Sequence, residues 1–346
     1  MANMNIRTPR FYTDNINYLL SRGVAQNGSF DVVATGGSGT SATRGIQTGT
    51  EAELFDMNPL NLVDFDTSGD PDSQVLITLD LKSSPKKSFI AILNHNLSTA
   101  DGKIRIAASD TKSHIQSADM GSATAIQPVE VVNADAIDDS SPFEITPATD
   151  GSTIIRFAES DLKFWGIQFE GDGGNEFGST DLSIGCILIG EYFEMPVAPD
   201  LSVKRSIVFD QVDVLESTGG QRFSNMNSHG RTGSTASKSP FTTATLQFNT
   251  YGGRIIYDLN FSYLASTDVM PNEYDYLEFT DDAVVEDIWN KTNGRHIPFI
   301  FSIDKDSEGD NAESEHIFAR FGQDSLDMEQ VAVDVFNIPM RIEEEF

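Results

Sequence analysis

The sequence predicts an all-β chain, mainly an antiparallel sandwich or barrel with few helices, arranged as two β domains in series. Three observations predict it. Short runs rich in Val, Ile and Phe recur between turn clusters such as Gly69-Asp70-Pro71, Asp101-Gly102 and Asp150-Gly151. Helical spacing of apolar residues is confined to two short stretches. The run from Leu182 to Phe193 is apolar on both alternating faces and shorter than the roughly 20 residues of a membrane helix, so it reads as a strand covered on both sides.

Pro196 and Pro199 close that run and forbid its ladder from continuing, which puts the joint between domains there. The expected division is an N-terminal arm and short helix over residues 1–24, a β-sandwich over 25–196, and a second β domain over 200–346 with one packed helix at 281–291. A chain of 346 residues suits two such domains. Its 39% hydrophobic and 10% aromatic content is that of a globular protein and not of a disordered acidic tail. The formal net charge of -30 opposes a phosphate backbone and argues against nucleic acid as a partner. Cys186 is the one cysteine, so no intramolecular disulfide forms, and it is expected as a small core side chain. The N-terminus carries no signal-peptide pattern and no apolar run spans a bilayer, so synthesis and folding in a cytoplasm without membrane insertion are expected.

Along the chain, residues 1–10 read as a polar arm, and Tyr12, Ile16, Leu19 and Leu20 then fall at helical spacing before Gly23. Residues 28–50 are loop chemistry interrupted by a strand at 30–34. Strands follow at 75–81, 89–93, 103–108, 129–132, 153–157, 164–170 and 182–193. The second half begins with a strand at 201–209 and a polar contact segment at 216–240, then strands at 243–250 and 254–264. Thr280 is placed to cap a helix over 281–291, with acids in its first turn, Lys291 in its last and Gly294 beyond. Val284, Val285, Ile288 and Trp289 share one face of that helix and should pack on the sheet. Strands at 297–303, 316–321 and 331–338 complete the chain.

No catalytic constellation emerges. The five histidines never pair at metal-binding helical spacing, and His95 within Asn94-His95-Asn96 reads as a histidine holding a turn after a strand. Residues 233–239 depart from a phosphate-binding loop at Ser237, where the second glycine belongs, and a proline follows instead of a helix. Gly36-Gly37-Ser38-Gly39 has the wrong order for a nucleophile elbow. The expectation is therefore a protein that is not an enzyme and has no organic cofactor. One cation motif stands out: Asp304, Asp306 and Glu308 at the first, third and fifth positions, Gly309 at the sixth and Glu315 at the twelfth give the spacing of a calcium loop. Asn311 replaces the usual apolar eighth residue and the flanks are strand-like, so a solvated acidic hairpin competes with calcium. Asp64, Asp66, Ser68, Gly69, Asp70 and Asp72 begin similarly but lack the closing glutamate.

Residues 89–97, 102–110, 165–169 and 184–190 form a series similar to one found in virion proteins of tailed bacteriophages, where it belongs to a discoidin-like, galactose-binding-like β-sandwich; the resemblance covers about residues 55–195. The order of strands, single helix, Pro-Phe strand and acidic loop over about residues 200–346 resembles the barrel-with-one-helix module of phage tail-tube and distal-tail proteins. Together these imply a non-enzymatic structural component of the virion tail, in a distal-tail, baseplate or fibre-attachment position. Its partners would be copies of itself and other phage tail proteins, with contacts sought at residues 1–10, 35–50 and 217–240. The alternative is a carbohydrate-binding adsorption protein that grips host surface glycan. Exposed aromatics near Trp165 or Phe177 would favour that alternative, and a buried Trp165 would disfavour it. A depolymerase is a third option and needs two carboxylates facing across a cleft.

Overall fold

The computed structural model of the protein describes residues 7–24, 29–33, 42–43, 45–68, 73–82, 86–116, 120–171, 177–209, 212–226, 241, 253–271, 282–306 and 315–345. Among them the strands form four sheets, antiparallel at every pair except where Ala42–Thr43 runs parallel to Ser73–Asp80. The largest sheet has Pro128–Val132, Gly151–Ser160, Lys87–His95, Cys186–Glu194, Arg10–Asp14, Phe299–Ser302, His316–Phe321, Val335–Glu344, Arg254–Ala265 and Lys204–Val208 in lateral order, and Glu329–Ala332 pairs with Val335–Glu344. Opposite its first part lies a sheet ordered Ala134–Asp138, Glu144–Pro147, Gly102–Ser109, Phe164–Gly171, Ser73–Asp80 and Phe30–Val32.

One face of the large sheet carries two cores in succession. Ile90, Ile92, Ile155, Phe157, Ile187 and Ile189 meet Val75, Ile77, Ile104, Trp165, Ile167 and Phe169 of the facing sheet, which makes the sandwich. Further along the same face, Phe11, Phe193, Phe299, Phe301, Tyr257 and Phe261 pack with Val284, Val285 and Ile288 of the Val284–Asn290 helix. The reverse face buries Tyr12, Phe89, Ala91, Leu93, Cys186, Leu188, Ile300 and Phe318. Strands buried on both faces explain the unbroken apolar runs of Lys87–His95 and Cys186–Glu194. Cys186 is free and buried, as its sequence context suggests.

Between the two cores the shared face turns polar. Glu191 and the helix-borne Asp287 both approach Lys291, whose Nζ donates to Glu191 Oε2 at 2.7 Å and to Asp287 Oδ1 at 2.8 Å. All three side chains are almost wholly buried. Burial alone would lower the Lys291 pKa, but the carboxylates of Asp287 and Glu191 outweigh it and hold the ammonium charged.

Several expectations are corrected. Arg10–Asp14 is a fully buried strand between Cys186–Glu194 and Phe299–Ser302, and the helix begins only at Asn15, where Asp14 caps it by accepting from Asn17 N at 2.7 Å. Tyr12 thus belongs to strand periodicity, and its helical spacing with Ile16 is coincidental. The run 182–193 divides at Gly185 into Leu182–Ile184, in a three-stranded sheet with Val63–Phe65 and Ile46–Thr48, and Cys186–Glu194 in the large sheet. A Cβ at Gly185 would lie 2.1 Å from the Pro59 carbonyl oxygen, so only glycine allows this crossing. The expected last strand is two strands, Glu329–Ala332 and Val335–Glu344, turned back at Asp334 with φ of 57°. The late helix starts at Val284 after Ala283, while Thr280 and the expected strand 243–250 lie outside the described residues.

Candidate functional site

Loops at one end of the sandwich converge into a polar cluster. His95 follows the Lys87–His95 strand and is buried; its Nδ1 accepts from Leu97 N at 3.2 Å, so its Nε2 carries the proton and donates to Thr153 Oγ1 at 2.8 Å. Burial pushes the imidazole down to about 4, and it is neutral at physiological pH. His95 therefore fixes a turn, as expected, and is not placed as a base. Asn96 Nδ2 donates to the Asp181 carbonyl at 2.8 Å and its Oδ1 accepts from Ser183 N at 2.7 Å, tying this turn to the next loop. Asp181 Oδ1 in turn accepts from Thr67 N and Ser68 N at 3.1 and 2.9 Å. Those backbone bonds and the Ser68 hydroxyl hold the carboxyl below its ordinary range. At the exposed rim, Asp150 accepts from Thr99 N at 2.9 Å and Asn133 Oδ1 accepts from Thr149 N at 3.0 Å. The rim thus presents ordered hydroxyls, amides and carboxylates on fixed loops.

The aromatic residues expected to signal a glycan groove are not at that rim. Trp165 is fully buried, with its Nε1 donating to the Leu162 carbonyl at 2.8 Å and its ring centroid 5.2 Å from that of Phe157. Phe177 is buried in the same core.

Of the calcium-loop residues, Asp304 is buried, Asp306 is exposed, Glu315 is half-buried and Glu308 lies outside the described residues. Arg7 Nε stands 3.5 Å from Asp304 Oδ2 and its Nη1 3.6 Å from Asp306 Oδ2, and Lys305 Nζ donates to Asp306 Oδ1 at 2.9 Å. Asp304 Oδ1 also accepts from Asp306 N at 3.0 Å. Arg7 and Lys305 thus engage Asp304 and Asp306, while residues 307–314 of the expected loop lie outside the described residues. In the second acidic group, Asp64 accepts from the Ser183 hydroxyl at 2.5 Å, and residues 69–72 lie outside the described residues. Among the described residues no three His, Cys, Asp or Glu side chains converge to hold a metal.

Exposed apolar side chains gather after the proline joint, on the strand expected at 201–209 and at the start of the segment expected to be polar, 216–240. The edge strand Lys204–Val208 and the hairpin Val212–Glu216 with Arg222–Met226 follow the proline joint. Leu201 is 91% exposed, Ile207 57%, Leu215 70% and Phe223 55%. The hairpin is a two-stranded sheet of its own, and every side chain from Asp213 to Ser224 is exposed. Leu215 and Phe223 are directly opposite each other and share one face. An isolated two-stranded hairpin with an uncovered apolar face is marginally stable in water. The signal was present as the β-prone run Val212, Val214 and Leu215, hidden by the flanking Gly, Ser and charged residues.

No protein-family model matches the chain and no curated protein does. Among solved structures it is similar to chitosan-binding module 1 of a chitosanase/glucanase from Paenibacillus sp. IK-5, at 14% identity and a TM-score of 0.29, over 46% of this chain and 99% of that one. It is also similar to CBM32-1 of a family 31 glycoside hydrolase from Clostridium perfringens, at 11% identity and a TM-score of 0.30, over 47% of this chain and 94% of that one. A third is the CBM32 of AlyQ in complex with 4,5-unsaturated mannuronic acid, at 15% identity and a TM-score of 0.26, over 46% of this chain and 95% of that one. These are carbohydrate-binding modules; at such identities and scores nothing about what this chain binds follows from them.

Proposed function

We propose that this chain is a non-enzymatic structural component of a tailed-phage virion tail that works by assembling with copies of itself and with neighbouring tail proteins. The observation that carries the reading is the exposed apolar set Leu201, Ile207, Leu215 and Phe223, on a strand with one unpaired side among the described residues and on the hairpin that follows it. Apolar surface of this extent is stabilised by burial against a partner. The particle itself is supplied by the sequence resemblance of both halves to virion β modules. Sedimentation velocity of the purified chain across a range of concentrations tests it: discrete multimers are expected. A chain that stays monomeric alone and also fails to join its neighbouring tail proteins would contradict it.

A second reading, carbohydrate binding, is favoured by one feature, the ordered polar rim of Thr99, Asp150, Asn133 and Thr149 at the end of the sandwich. Fixed hydroxyl and carboxylate groups suit sugar hydroxyls, but no aromatic platform accompanies them near Trp165. Binding on a glycan array that is lost in T99A/D150A would establish this reading, and a silent array would remove it.

A further inference from the structure

Among the described residues, two of the strands that end the sheets are opposite in charge. Lys204–Val208 is the last strand of the large sheet; one side pairs with Arg254–Ala265, and among the described residues no strand takes the other. Its sequence Lys-Arg-Ser-Ile-Val has two cations and no anion in a chain of net charge -30. At the other end, next to the first strand of that sheet, Ala134–Asp138 is the terminal strand of the facing sheet, and among the described residues Glu144–Pro147 is the one strand paired with it. Its sequence Ala-Asp-Ala-Ile-Asp has two anions and no cation, and Asp139 follows.

Both strands are five residues long and lie at the surface. Lys204, whose side chain is 70% exposed, pairs with Asp258 at 3.6 Å, and the exposed Arg205 lies 5.7 Å from the Tyr257 ring centroid, so both cations touch the neighbouring strand while staying open to solvent. Asp138 is kept ionised by bonds from the Ser140 hydroxyl and backbone N–H. Each edge also exposes an isoleucine, Ile207 and Ile137, which a purely protective charged edge would not need.

The geometry points to head-to-tail joining of identical chains, with the basic Lys204–Val208 edge of one copy adding to the acidic Ala134–Asp138 edge of the next. Unpaired backbone N–H and C=O groups of the two strands complete one another, and Lys204 and Arg205 meet Asp135 and Asp138. Because the edges belong to different surfaces, every copy offers one of each, and the contact propagates into a closed ring or an open filament. This pairing rests on the assembly reading above and names its partner and surface.

Charge reversal on the full chain tests it. K204E/R205E and D135K/D138K are each expected to weaken self-association by about tenfold or more, since like charges then face each other, and the four-fold variant is expected to recover it. Sedimentation velocity reads the association, and circular dichroism with thermal melting verifies that each surface variant is folded. Wild-type multimers that ignore both reversals would overturn this pairing while leaving the assembly reading intact. A wild-type chain that is monomeric at every concentration, or pairs only with a different protein, would overturn it too, and so would folded reversals that the combined variant does not rescue.

Discussion

Lys291 Nζ lies 2.7 Å from Glu191 Oε2, joining a helix of the second half to the closing strand of the first across 100 residues of sequence. The contact sits where one core ends and the next begins, so the two halves share a buried charge cluster as well as a sheet. Replacing Lys291 by Met strands two buried carboxylates and should cost about 3–5 kcal/mol. Urea unfolding should still show one transition, at lower denaturant, and E191Q in the same background should recover part of the loss. An unchanged midpoint in K291M would show that the cluster does not hold the halves together.

The pH dependence has two opposed parts. Burial raises the Asp14 carboxyl from its ordinary 3.8 to about 6, against the bonds it accepts from Asn17 and Ile189. The folded state keeps that proton longer than the unfolded chain, so this contribution is complete below pH 3.8 and is lost as pH rises through 6. His95 is lowered from 6.5 to about 4 by burial, so its contribution is complete above 6.5 and is lost as pH falls through 4. Each full swing is about 3 kcal/mol. Urea melts at stepped pH should show stability rising more steeply with pH in D14N than in wild type, and less steeply in H95Q. Parallel curves for all three proteins would contradict these assignments.

Gly190 admits the N-terminal strand. A Cβ there would stand 1.9 Å from the Thr13 carbonyl oxygen, inside the pairing of Arg10–Asp14 with Cys186–Glu194. G190A should destabilise the protein by about 1–3 kcal/mol or more, since neither backbone can yield without losing ladder bonds. Hydrogen exchange should show the greatest loss of protection at residues 10–14. Wild-type protection in that strand would refute the close approach.

Calcium at millimolar concentration should leave the melting temperature unchanged, because Arg7 and Lys305 already engage Asp304 and Asp306. R7Q frees those carboxylates and should make the melting temperature respond to calcium. A calcium-dependent rise in wild type would contradict this and support the loop as an ion site.

How legible the chain was depended on which neighbour decided the outcome. Ile187, Leu188 and Ile189 announced a doubly covered strand because burial on both faces is written into consecutive apolar residues. Val284, Val285 and Ile288 likewise pack in the core as read, although Val284–Asn290 is a π-helix and its period is not the α-helical one. Arg10–Asp14 did not, because a strand buried on both sides has no alternation to distinguish it from the helix that follows. The turn at Asp334 carries no glycine, and its positive φ is visible only in the folded backbone. Lys291 was read as a helix-end charge, while its partner Glu191 is a tertiary fact with no sequence signature. At the candidate surfaces, the polar flanks of the 212–226 hairpin concealed its exposed Leu215 and Phe223.

Negative-stain imaging of the purified chain, beside an L215S/F223S variant, tests the central claim most directly. The exposed arm predicts closed rings or discrete multimers for wild type and their loss in the folded variant. Uniform single particles for both proteins would contradict the assembly proposed for this chain.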